Sequence, residues 1–233
     1  MSTQGDKPRI TLPVPAGSVP DPGQLRWGVV STVKAPLQAI ARFVAWHLDI
    51  GASEIHLYLD APNRQLVRFF SSHPAIRLTR CNERYWRNKP EKARSVHQLR
   101  QAFNASRAYR KSKVHWLAHI DVDEFILSDR PVHRLLGMAP ADSAYVQMPP
   151  AEMLAQPDPW QGDSHFKLTA REAGLRKTQL EQVYPDYGTY VPQGFLGYNC
   201  GKNFARTGIA GVRLGIHSLS MNGAAVDNGM ALP

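Results

Sequence analysis

The sequence predicts an α/β fold in which helices flank a mixed, mostly parallel sheet. Short apolar runs alternate with segments of helical periodicity between residues 27 and 121, and strands joined through helices pair in parallel. A hydrophobic fraction of 43% with five tryptophans is enough for a sizeable core, which excludes wholesale disorder. We therefore expect a single domain over residues 27–233, preceded by a proline-rich flexible tail over residues 1–26.

Six stretches are predicted strands because they are short, apolar or β-branched, and bounded by turn residues. They are residues 27–33, 54–60, 75–81, 114–121, 144–148 and 212–219. Helical patterns separate the first four, whereas a long loop rich in Gly, Pro and Tyr separates the last two. The parallel part of the sheet is therefore expected in the first half of the chain.

Three segments between the early strands carry helical signals. Residues 35–51 place apolar side chains at the helical spacing, with Pro36 near the start and Gly51 as a stop. A shorter helix is predicted over residues 63–72. One long basic helix is predicted over residues 89–113, with one side formed by Val96, Leu99, Phe103 and Ser106.

The positive charge is concentrated in one segment. The chain carries a net charge of +9, and residues 77–113 hold 12 Lys or Arg against 2 Glu, a local charge of +10. Such a segment attracts polyanions, whether a phosphorylated ligand, an anionic membrane or nucleic acid. A solvated helix face that keeps the protein soluble explains the same pattern.

Cysteine usage and the N-terminal sequence predict a cytoplasmic location. Cys81 and Cys200 form no CxxC motif and no disulfide framework, which fits reduced thiols. The first 20 residues lack the continuous apolar stretch of a secretory signal, and no segment is apolar over the length of a bilayer. We expect a cytoplasmic protein, with peripheral contact between its basic segment and the anionic inner face of the membrane.

Acidic residues follow the fourth predicted strand, in the stretch HWLAHIDVDEF. Along a strand Asp121 and Asp123 share one face, so both carboxylates reach one ion. Hard divalent cations, Mn²⁺ or Mg²⁺, bind carboxylate oxygens and fill their remaining positions with substrate phosphates. Asp60 also ends a predicted strand, and open parallel sheets bind ligands beyond the carboxyl ends of their strands. The pattern predicts a metal site at this edge, with a solvated strand end and turn as the alternative.

The segment HWLAHIDVDEFIL resembles the metal-binding segment of bacterial family 2-like glycosyltransferases of the GT-A fold. The resemblance covers about residues 27–217, and WHLDIGA with HIDVDEF is its most specific part. It implies that Asp60 meets the nucleobase or ribose of a nucleotide-sugar donor. It also implies that Asp121 and Asp123 hold the ribose and the Mn²⁺– or Mg²⁺–diphosphate. Further sequence would follow in that family, so the resemblance leads us to expect a version truncated at the C-terminus.

The same resemblance assigns roles to later residues. It implies that Lys202 and Arg206 contact the donor and that His217 completes the metal shell, for which neutral imidazole is an acceptable ligand. A histidine satisfied within its strand is an equal alternative for His217. Inverting transfer needs a general base, usually a carboxylate near the acceptor hydroxyl. We choose Glu152, which follows a predicted strand.

Three functions therefore stand in order. The first is a metal-dependent glycosyltransferase acting on an acceptor such as a surface polysaccharide or lipid-linked glycan. The second is a metal-dependent phosphoryl or nucleotidyl transferase. Against it, Phe125 stands where phosphatases with a D-x-D-x-T/V motif carry Thr or Val. The third is a non-enzymatic nucleic-acid-binding protein using residues 77–113, which leaves the acids unexplained, so we expect no nucleic-acid partner.

Overall fold

The computed structural model describes residues 8–15, 20–157 and 162–232. These residues form two compact units, one made of the described residues up to Gln147 together with those from Asn203 onwards, the other of Met148–Lys202. The second unit falls in the weakly patterned middle of the single domain that the sequence predicts. No helix in the described part of the chain is both long and apolar enough to cross a membrane.

The elements follow one another as short strands and mostly short helices. The strands are β1 (Arg9–Ile10), β2 (Trp27–Val33), β3 (Glu54–Leu59), β4 (Ile76–Arg80), β5 (Trp116–His119), β6 (Tyr145–Met148), β7 (Ala151–Met153), β8 (Phe166–Leu168), β9 (Lys202–Arg206), β10 (Val212–Leu214), β11 (Leu219–Met221), β12 (Ala224–Val226) and β13 (Gly229–Ala231). The α-helices are α1 (Leu37–Asp49), α2 (Arg64–Phe70), α3 (Glu83–Trp86), α4 (Glu91–Ser95), α5 (His97–Lys111), α6 (Val132–Gly137) and α7 (Lys177–Val183). The strands and helices predicted up to residue 81 are confirmed to within about two residues.

The first unit is built on a seven-stranded sheet in the order β13-β6-β9-β5-β2-β3-β4. Strands β4, β3, β2 and β5 are parallel, and β9 runs antiparallel to β5. The chain moves outward from β2 to β3 and β4, and α5 then returns it to β5 on the other side of β2. The strand order therefore reverses between β2 and β5, which makes their carboxyl ends a topological switch point. The predicted α/β fold with a mixed sheet flanked by helices is confirmed.

The centre of this sheet is covered on both faces. Every residue of β2 and β3 is buried, as expected for central strands of a parallel sheet. Val30, Tyr58 and Leu117 belong to one buried cluster, together with Ala108 and Tyr109 of α5. Because side chains alternate between the faces of a strand, α5 covers the face from which these three strand residues project.

The long basic helix predicted over residues 89–113 is in fact two helices. The chain has an extended backbone at Val96 (φ −97°, ψ 123°), where α4 ends and α5 begins. Arg100 donates from Nη1 to the carbonyl of Arg94 at 2.8 Å, which satisfies an orphan carbonyl at the end of α4. The predicted buried side was also wrong, since Val96 and Leu99 are 40% and 38% exposed.

A four-stranded sheet joins the two ends of the described chain, in the order β1-β12-β11-β10. Leu12, which follows β1, is 2% exposed. The side chain of Asn228 bonds both the N–H and the carbonyl of Leu12, at 2.9 and 3.0 Å. Residues 8–15 are therefore built into the fold, although they lie in the segment predicted as a flexible tail. Residues 1–7 and 16–19 of that segment lie outside the described residues.

Candidate functional site

Helix α5 holds both predicted strand-end aspartates. Asp60 follows β3, and its Oδ2 lies 3.0 Å from Nη2 of Arg100. Asp121 follows β5, and its Oδ1 accepts a hydrogen bond from Nε2 of Gln101 at 2.6 Å. Because Arg100 and Gln101 are consecutive, the helix brings the two carboxylates to the same edge of the sheet. That edge includes the switch point between β2 and β5.

Asn104, one turn further along α5, fixes the surroundings of this edge. Its side chain is completely buried. Its amide donates to Oγ1 of Thr32 in β2 at 3.0 Å, and its Oδ1 accepts from the hydroxyl of Tyr85 in α3 at 2.7 Å. The same amide lies 3.7 Å from Sγ of Cys81, after β4. A buried amide with all these partners locks the ends of three elements around α5.

Sequence reasoning missed Gln101 and Asn104 as site residues. The expected buried side of the helix was apolar, whereas α5 buries these two amides together with Ala105, Ala108 and Tyr109. The available signal was their spacing. Positions 101, 104, 105 and 108 follow the i, i+3, i+4, i+7 pattern of one helix face. Amides on such a face need polar partners, and the strand-end acids supply one.

The acids after β5 lie in a turn rather than on the strand. The predicted strand extended to Asp121, but β5 ends at His119. The carboxylate of Glu124 accepts from the N–H of Asp121 at 2.9 Å, and the N–H of Glu124 donates to the carbonyl of Asp121 at 3.1 Å. Asp123 lies in this turn with an exposed side chain. The turn, and not a shared strand face, sets the positions of the two aspartates.

The structure offers no complete protein-only metal cage. Within the described ranges, no three or more His, Cys, Asp or Glu side chains are grouped so as to hold a metal ion. Magnesium-type sites in enzymes commonly use one or two carboxylates and take the other ligands from water and substrate phosphate. Asp121 and Asp123 therefore remain the predicted metal ligands, and the chemistry of two carboxylates on one turn fits a hard divalent cation.

Helix α1 anchors the residues that follow the acidic turn. The ring of Phe125 is stacked on His47, with centroids 6.1 Å apart and planes at 10°. Trp46 packs edge-on against Phe125, and its Nε1 donates to the carbonyl of Ile126 at 2.9 Å. Burial lowers the pKa of His47 to about 4, although a hydrogen bond to the Phe43 carbonyl opposes that shift. The stacked imidazole is therefore neutral near pH 7.

The strand predicted over residues 212–219 is a hairpin, and His217 lies in its turn. Strands β10 and β11 pair in antiparallel fashion on either side of this turn. Nδ1 of His119, in β5, is 2.7 Å from the carbonyl of Gly215. This hydrogen bond ties the turn to the strand that leads into Asp121. The structure thus brings the segment carrying His217 towards the acids, and its role as a metal ligand remains a prediction.

Arg206 lies at the other end of β5. It pairs in register with Trp116, the first residue of that strand, and its guanidinium carbon is 4.3 Å from the centre of the Trp116 ring. It is 2% exposed, and it donates to the carbonyls of Ser143 and Pro140 at 2.7 and 3.0 Å. Burial lowers the pKa of Arg206. The structure does not bring Arg206 together with Asp121, and these contacts give it a structural role.

Lys202 and Glu152 belong to the second unit. Lys202 is buried at the start of β9. The carboxylate of Glu152 lies 3.0 Å from Nζ of Lys167 and accepts from the N–H of Gly197 at 2.8 Å. Burial raises the pKa of Glu152, but these two contacts outweigh it and the pKa is lowered. A carboxylate stabilised in its charged form is a weaker base, and the roles of both residues remain predictions.

Part of the basic segment is engaged within the protein. Arg100 pairs with Asp60, and Lys89 and Arg107 lie over the ring of Tyr85, with their charged groups 4.2 and 5.6 Å from its centre. An aromatic face attracts cations in this geometry. The segment is therefore more than a solvated helix face, and its contact with a membrane or nucleic acid remains a prediction.

Comparisons with known proteins leave the site to be interpreted from its own chemistry. No model of a known protein family matches the chain, and no curated protein matches it either.

Proposed function

We propose that the protein is a metal-dependent glycosyltransferase of the GT-A type, which moves a sugar from a nucleotide-diphosphate donor to a glycan or lipid-linked acceptor. The observation that carries this proposal is the pair of strand-end carboxylates, Asp60 and Asp121, held by consecutive residues of α5. The mixed, mostly parallel sheet with its switch point supports the same assignment.

In this proposal the carboxylates divide the donor between them. Asp60 and Asp121 accept hydrogen bonds from the nucleobase or ribose, because ionised carboxylates act only as acceptors. Asp121 and Asp123, with His217, are the ligands of Mn²⁺ or Mg²⁺. When bound, such an ion neutralises charge on the departing diphosphate. The uncharged amide of Gln101 orients Asp121 without pairing its negative charge.

The anchoring on α1 supports this division of roles. Metal ligands must be held close to their productive geometry, and second contacts usually do so. The acidic turn is fixed on one side by the Gln101–Asp121 hydrogen bond and on the other by the packing of Phe125 on His47 and Trp46. Only Asp123, at the exposed part of the turn, is left to close on an ion.

A thermal-shift panel tests the proposal. UDP, GDP, CMP and ADP are added with and without Mn²⁺ to the wild type, to Asp123→Ala and to a control, Asp129→Ala. Asp129 is a highly exposed acid in the same segment, with only a distant pairing to Arg130 at 4.0 Å. A ligand that binds the native state raises the melting temperature by mass action.

The expected result is stabilisation by one nucleoside diphosphate that depends on Mn²⁺, is abolished in Asp123→Ala and is retained in Asp129→Ala. That nucleotide then defines the donors to use in transfer assays. The absence of any Mn²⁺-dependent shift in the wild type would overturn the proposal.

A further inference from the structure

A separate cleft opens beyond the carboxyl ends of β3 and β4, on the side of the sheet away from β5. Its volume is about 520 Å³, which lies within the range of small-molecule sites in proteins. Leu59, Pro62 and Val67 supply apolar lining, and three arginines also line it, namely Arg64, Arg68 and Arg80. The cleft therefore combines an apolar surface with a concentrated positive charge.

The geometry of α2 directs two of the arginines into the cleft. Leu66 and Phe70 are the buried residues of this helix. Arg64 and Arg68 are four residues apart and so lie on one face, a turn from each other. Arg80 reaches the same cleft from the last residue of β4. Two elements thus converge with like charges, which is unfavourable without an anion between them.

The structure shows no acid that compensates these charges. All three side chains are exposed. No Asp or Glu is among the described residues that line the cleft, and no salt bridge within the described ranges involves Arg64, Arg68 or Arg80. Guanidinium groups match phosphate geometry through paired N–H donors, and they are commonly used to bind it.

We propose that this cleft binds a phosphate-bearing small molecule, with the phosphate on the three arginines and the rest of the ligand against Leu59, Pro62 and Val67. The protein itself supplies the positive charge, so binding needs no metal ion. The site is distinct from the acidic turn after β5, and the proposal does not depend on the transferase activity.

Calorimetric titration with inorganic pyrophosphate in the presence of EDTA tests the site. The variant carries Arg64→Gln and Arg68→Gln, and the matched control carries Arg42→Gln and Arg134→Gln, two exposed arginines on α1 and α6. Both variants lose two positive charges, and the four helical surface substitutions cost little stability. Melting temperatures verify that both proteins fold.

We expect saturable binding by the wild type and the control, and a Kd at least about tenfold higher in the cleft variant. Arg80→Gln should weaken binding in the same direction. Asp123→Ala should bind pyrophosphate normally, so that failure here is separable from failure of the proposed function. An absence of saturable binding by the wild type, or equal weakening in the control, would overturn the proposal.

Sedimentation with phosphatidylcholine vesicles containing phosphatidic acid distinguishes the source of the phosphate. Loss of sedimentation in the cleft variant but not in the control assigns the cleft to a lipid headgroup. Equal sedimentation of the two variants, together with arginine-dependent pyrophosphate binding, assigns it to a soluble phosphorylated ligand.

Discussion

Gln101 is the residue on which the candidate site depends most directly. It is 7% exposed, and its amide reaches the carboxylate of Asp121 at 2.6 Å. We expect Gln101→Leu to weaken Mn²⁺-dependent nucleotide binding by about tenfold, because Asp121 loses the donor that orients it. Calorimetry measures the change, with Gln98→Leu on the exposed side of α5 as the control. Equal affinities of the two variants would remove Gln101 from the site.

Glu54 gives a stability prediction at the opposite edge of the sheet. Burial raises its pKa, but hydrogen bonds from His56, from the N–H of Lys113 and from the hydroxyl of Ser112 outweigh burial and lower the pKa to about 2. A depressed carboxyl pKa stabilises the fold above the ordinary value near 4.5, and this stabilisation is lost as the pH falls towards 2.

We therefore expect Glu54→Gln to unfold more easily than the wild type at neutral pH, by on the order of 2 to 3 kcal/mol. The difference should shrink steadily below about pH 4.5. Urea unfolding at neutral and acidic pH measures it. A difference that stays constant down to about pH 3 would show that the Glu54 charge is not the cause.

Helix α1 is the element that couples stability to the acidic turn. Its His47 has a pKa lowered to about 4 by burial. Between that value and the ordinary 6.5, the unfolded chain binds a proton that the folded protein does not. Acidification through this window should therefore destabilise the fold and weaken the stacking of Phe125 on an uncharged ring.

We expect the wild type to lose on the order of 3 kcal/mol of unfolding free energy between about pH 6.5 and 4 through this residue. His47→Leu should not show that loss, although it is less stable at neutral pH because the contact with Phe125 changes. The exposed His133→Leu on α6 is the control. Parallel pH profiles for the wild type and His47→Leu would contradict the assignment.

The elements show where sequence reasoning succeeds. Strands β2 and β3 and helix α1 were predicted because their β-branched runs, periodicity and Gly51 stop are local signals, and Gly51 does adopt the expected positive φ of 101°. The break at Val96 was missed because its cause is not local. Arg100 satisfies the carbonyl of Arg94 and pairs with Asp60 of a distant strand, which helix periodicity does not encode.

The candidate site divides in the same way. The strand-end positions of Asp60 and Asp121 were predictable, because parallel strands present their carboxyl ends at one edge. Their partners were not, since the pairing of Asp121 with Gln101 depends on how α5 lies across the sheet. The turn at His217 was missed because an uninterrupted apolar pattern masks a hairpin whose turn is fixed by the His119–Gly215 hydrogen bond.

At the scale of the whole molecule, the first described residues complete the core. Leu12 is almost fully buried and packs in the cluster that includes Leu117 and Val226. We expect Leu12→Ala to destabilise the protein by about 2 to 5 kcal/mol, the usual cost of a buried Leu truncation. Urea unfolding measures it, with Leu127→Ala, at a residue 52% exposed, as the control. A cost no larger than that of the control would contradict this role.

The pairing of β1 with β12 has a consequence for how the chain is made. Ile10 pairs with Val226, a separation of 216 residues. At a translation rate of about 5–20 residues per second, roughly 10 to 40 s separate the synthesis of the two partners. During that time the apolar side chain of Leu12 has no native strand to pack beside. The nascent protein therefore reaches the end of translation with its core incomplete, and it is exposed to chaperone binding until its last strands emerge from the ribosome.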